Sequence, residues 1–82
     1  MNALRKAALT HYQAKRDEAL AVMEVYFQRP AGIGEHSDLL AEISKWTEVL
    51  ANADDCLQAL TSHFDDEGRI TAGRAGTPSG SQ

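Results

Sequence analysis

The sequence predicts an all-α fold: a two-helix antiparallel hairpin with coiled-coil-like packing that assembles into a four-helix bundle. Three observations lead there. Proline and glycine cluster at one place ahead of the C-terminal tail, within residues 30–38. Good helix formers fill the segment before it, with no Gly or Pro. After it, Leu39, Ile43, Trp46, Leu50, Ala53, Leu57, Leu60 and Phe64 recur at alternating spacings of four and three. That spacing is the a/d seam of knobs-into-holes packing.

The first helix is expected over residues 3–28. Its apolar positions include Leu9, Tyr12, Ala19, Leu20, Met23, Tyr26 and Phe27, which fit one stripe. Lys15 and Arg16 interrupt the stripe, and their aliphatic stems can cover apolar surface while the charges reach water. Between Ala19 and Phe27 only Glu24 is polar, more apolar surface than one partner helix covers.

The turn comes next. Pro30 removes a backbone donor and disfavours helix at Arg29. Gly32 and Gly34, flanking Ile33, let the chain reverse within a few residues. Ser37 is positioned to cap the next helix, with Asp38 and Glu42 near its positive end. That helix is expected over residues 38–66, with Gly68 just beyond its end and Asp65, Asp66 and Glu67 opposing its dipole. The domain is thus residues 1–67, and residues 68–82, rich in glycine with little to bury, read as a disordered tail.

Folding the helices together at this turn makes facing residue numbers add to about 66. Leu9 then meets Leu57, Tyr12 meets Ala53, Ala19 and Leu20 meet Trp46, Met23 meets Ile43, and Phe27 meets Leu39. Arg16 falls opposite Leu50, with Glu48 or Asp54 in reach. Two helices enclose no core, so surplus apolar residues need another surface. Val22, Val25 and Val49 cannot all face the seam and are the expected self-association residues of a homodimer.

Charge supports the pairing. Residues 1–29 carry net +2, residues 30–67 net −8, and residues 68–82 net +2, giving −4. The acidic balance makes nucleic acid an unexpected partner. No run of 18 apolar residues spans a membrane. Residues 1–6 lack the apolar stretch and cleavage site of a secretory signal, and the single Cys56 fits a reducing compartment.

No residue pattern demands a catalytic site, metal or cofactor. His11, His36 and His63 lie 25 and 27 residues apart and do not converge in a hairpin. The Gly32-Ile33-Gly34-Glu35-His36 run lacks the preceding strand and the following Lys-Ser/Thr of phosphate-binding loops. Ser37 beside His36 is adjacency, not an oriented nucleophile and base. The two acidic runs, Asp54-Asp55 and Asp65-Asp66-Glu67, lack the alternation of a calcium loop. The turn residues Pro30, Gly32, Ile33, Gly34, Glu35 and His36 form a candidate recognition loop.

The segment Tyr26-Phe27-Gln28-Arg29-Pro30-Ala31-Gly32-Ile33-Gly34-Glu35-His36-Ser37-Asp38-Leu39 resembles one found in small uncharacterised proteins of large tailed bacteriophages. The resemblance implies a viral source, a helical hairpin, and a location in the cytoplasm of the infected bacterial host or in the virion. It brings no catalytic or binding residue. The expected function is a non-enzymatic interaction or structural module that self-associates and/or docks on a larger phage or host protein. The alternative is an acidic inhibitor or nucleic-acid mimic acting on a host defence or transcription protein.

Overall fold

A computed structural model of the chain describes residues 2–29 and 36–71. The side chains of His36 and Ser37 are outside that description, as is the turn from Pro30 to Glu35. Two helices, α1 (Ala3–Gln28) and α2 (His36–His63), pack against each other with no named strand among the described residues.

Helix α1 begins where a cap permits. Asn2 is extended (φ −71°, ψ 125°), and its Oδ1 accepts the Arg5 N–H at 2.9 Å, satisfying one orphan donor of the first turn. At the other end Arg29, the residue before proline, leaves helical geometry at φ −137°, ψ 59°. Its N–H still donates to the Val25 carbonyl at 2.8 Å. These are the bounds expected from the sequence.

Helix α2 differs at both ends. It begins at His36, so Ser37 lies inside the helix rather than just before it, and His36 belongs to the helix rather than to the turn. A one- or two-residue difference is common at a helix end. The C-terminal difference is larger: α2 stops at His63 instead of continuing to residue 66.

Asp65 explains that stop. Its Oδ1 accepts the N–H groups of Glu67 and Arg69, both at 2.9 Å, offering the backbone an alternative to another helical turn. Gly68 N–H donates to the Asp65 carbonyl and Asp65 N–H to the Arg69 carbonyl, each at 2.9 Å. Gly68 has φ +84°. This is the bonding of a four-residue turn ending on a left-handed glycine, with Asp first and Gly fourth as such turns prefer. Phe64 and Ile70 pair across it, and Thr71 returns to the helix end, N–H to the His63 carbonyl at 3.1 Å. Residues 68–71, expected at the start of the tail, are therefore bonded into the fold; residues 72–82 lie outside the described residues.

The turn also clasps the start of α1. Asn2 N–H donates to the Asp66 carbonyl at 2.8 Å, and the Arg5 guanidinium reaches both the Phe64 carbonyl (3.4 Å) and the Asp66 carboxylate (3.5 Å). One end of the hairpin is thus closed by a polar clasp.

Candidate interaction surface

The register of the helices sets which side chains are covered. Asn2 with Asp66 and Tyr26 with Glu42 add to 68, and Arg16 with Asp54 to 70. The helices are therefore offset from the expected sum of 66. Arg16 selects Asp54 of its two expected partners, donating from Nε to Oδ1 at 3.0 Å. Both residues are about half exposed, so water screens the pair and it orients the helices more than it holds them.

The seam is built on small residues. Ala19 and Ala53 are the buried apolar residues, at 0% and 1% exposure, and no large side chain is fully buried among the described residues. Small residues let helix backbones approach, but they remove little apolar area from water. Leu39, Ile43, Trp46, Leu50, Leu57, Leu60 and Phe64, the rest of the expected α2 seam, are only half-buried. The indole N–H of Trp46 is shielded from solvent and makes no hydrogen bond. Tyr26, beside it in the seam, donates to Glu42 Oε1 at 3.1 Å; its hydroxyl pKa is raised by burial, and then by that carboxylate.

Two expected seam residues face outward. Leu20 is 43% and Phe27 61% exposed, whereas they were expected to pack on Trp46 and Leu39. The reason is helical phase. Ala19 and Tyr26 take the seam positions, and one further residue turns a side chain by about 100°. Val25 (53%), Leu40 (65%), Leu4 (80%) and Ile70 (78%) are exposed as well.

The hairpin has two flanks of different chemistry. On one, His11, Tyr12 and Lys15 of α1 face Lys45, Glu48, Val49, Asn52 and Ala53 of α2 across a groove of about 720 Å³. The His11 ring stands edge-on to Tyr12 at 4.9 Å, and Lys45 Nζ lies 5.2 Å from the Trp46 ring centre. Cys56 is a half-buried free thiol, and its interaction with the Tyr12 hydroxyl raises the tyrosine pKa. Val22, seven residues beyond Lys15, continues this flank. Val22 and Val49 are half-buried, so of the three valines expected to mediate self-association only Val25 is exposed.

The other flank is marked by the Arg16–Asp54 bond. The stripe of Arg16 continues through Leu20, Met23 and Phe27, and that of Asp54 through Ile43, Leu50 and Leu57. The offset of that bond sets Leu20 about level with Leu50, and the Tyr26–Glu42 bond sets Phe27 within a turn of Ile43. This flank is apolar along most of its length. Periodicity alone does not separate it from the seam, because Leu20 and Phe27 lie a single step from Ala19 and Tyr26, and Ile43, Leu50 and Leu57 border both.

Among the described residues no three His, Cys, Asp or Glu side chains come together as metal ligands. No described helix is long and apolar enough to cross a membrane. The chain matches no family model, no curated protein and no solved structure.

Proposed function

We propose that this chain is a non-enzymatic interaction module that self-associates, docks on a larger protein, or does both. The observation carrying the reading is the absence of any fully buried large side chain among the described residues, beside six large apolar residues left exposed. A hairpin so constituted removes too little apolar surface from water to oppose the chain entropy of two helices totalling 54 residues. Association supplies the missing burial. The phage-like segment around the turn supports a viral source, hence a phage or host protein as the larger partner and an infected cell or virion as the setting.

Sedimentation equilibrium of the purified chain tests the reading. An associated species, of twice the 8.9 kDa chain mass or more, is expected at micromolar concentration. A helical, stably folded monomer at 100 micromolar would remove the self-association arm.

A further inference from the structure

The two flanks are not equivalent, and the difference selects one of them. We infer that a second copy of this chain covers the flank bearing Arg16, Leu20, Phe27, Ile43, Leu50 and Asp54, with the two-fold axis running along the helices. The inference rests on the self-association reading and gives it a surface and an orientation.

Area supports this choice. From Leu9 to Phe27 the flank is about 27 Å long at 1.5 Å per residue, and two helices make it about 20 Å wide. That is about 540 Å² per copy and about 1,100 Å² for a pair, close to the lower end for a specific interface. The opposite flank is divided by the groove and carries Lys15, Lys45, Glu48 and Asn52 along it. Covering it would require several charged groups to leave water.

Charge supports the orientation. Helix α1 has four Lys/Arg and three Asp/Glu, net +1; α2 has one and five, net −4. An axis along the helices lays each α1 antiparallel on α2 of the second copy, whereas an axis across them lays like helices together. The first arrangement preserves level. Leu20 then stacks over Leu50 and Phe27 over Ile43 of the second copy, and Arg16 comes over Asp54. The contacts made within one chain thus recur between chains, as a self-complementary interface requires. A lipid surface is a poorer occupant: the edge of this flank carries Asp17, Glu24 and Asp54 with Arg16, while membrane-surface helices carry mainly Lys and Arg.

The test combines sedimentation with intermolecular distance. Leu20→Glu with Phe27→Glu should weaken the dimer roughly 100-fold, since each change removes burial worth about a tenfold or greater factor. Leu4→Glu, at an exposed site off this flank, should leave association unchanged. Loss of folding on dissociation is separated by a second measurement on an associating protein. A nitroxide on Gln13→Cys in a Cys56→Ser chain, mixed with isotope-labelled unmodified chain, should broaden the α2 amides around Leu57 and Leu50, which lie nearest in level to Gln13 across the proposed axis, more than those around Leu39 and Ile43. A dimer that survives the double substitution, dissociates with Val22→Glu and Val25→Glu, or shows the reverse broadening overturns this inference and leaves self-association standing. A wild-type chain that is monomeric throughout overturns both.

Discussion

Asp65 is the residue whose chemistry most affects local structure. It ends α2, closes the following turn, and, with Asp66 and Arg5, ties the end of α2 to the start of α1. Its pKa is lowered below the ordinary 3.8, chiefly by the Arg69 N–H, with the Glu67 N–H and the charges of Arg69 and Arg5 also favouring the carboxylate and desolvation opposing. A carboxylate with a depressed folded pKa stabilises the turn fully above its unfolded value. That contribution is lost as pH falls through the folded one. Acidification from pH 5 towards pH 2 should therefore release the Glu67 and Arg69 amides, seen as shift changes by NMR before the centres of the helices respond. Simultaneous loss of helix and turn would show that the turn has no stability of its own. Gly68 makes a second prediction at this scale. Its φ of +84° and the Asn2 side chain 3.3 Å from where a Cβ would stand leave alanine strained. Gly68→Ala should cost about 1–2 kcal/mol, detected as faster exchange of the Asn2 amide.

At the scale of the helices, close approach rests on Ala19 and Ala53. Ala53→Leu should force α1 and α2 apart and cost about 1–3 kcal/mol, measured as a lower urea midpoint at fixed protein concentration. An unchanged midpoint would mean the helices have room at that point. The Arg16–Asp54 bond should behave differently: a double-mutant cycle to alanine should give a coupling of about 0.2–1 kcal/mol, since both groups meet water. Much of this level was legible in the sequence. The bounds of α1 followed from an uninterrupted run of helix formers and Pro30, and the α2 stripe from its four-three spacing. The antiparallel reversal put Glu48 or Asp54 within reach of Arg16, and Arg16 takes Asp54. Register was less accessible, because the offset depends on a turn whose geometry proline and glycine permit but do not specify. Leu20 and Phe27 were read as seam for the same reason: a nearly all-apolar segment has no polar face to fix its phase. The end of α2 was missed although Asp65-x-x-Gly68 carries the turn pattern, since Phe64 completed the apolar stripe and drew the helix onward.

For the whole molecule, the decisive relation is between the narrow alanine seam and the apolar residues outside it. A hairpin that buries two alanines fully, and no large side chain among its described residues, should have little helix stability alone. Folding and association are then one equilibrium, and stability should rise with protein concentration. The groove beside Lys15 and Lys45 remains open in the proposed dimer, so docking on a larger protein and self-association need not compete. The most direct measurement of this coupling is far-ultraviolet circular dichroism across a dilution series, from about 100 micromolar to below 0.1 micromolar at constant temperature and salt. Helical signal per residue should fall on dilution, along the same curve by which sedimentation reports dissociation. A signal that stays constant to the lowest concentration, while the chain sediments as a monomer, would contradict the account.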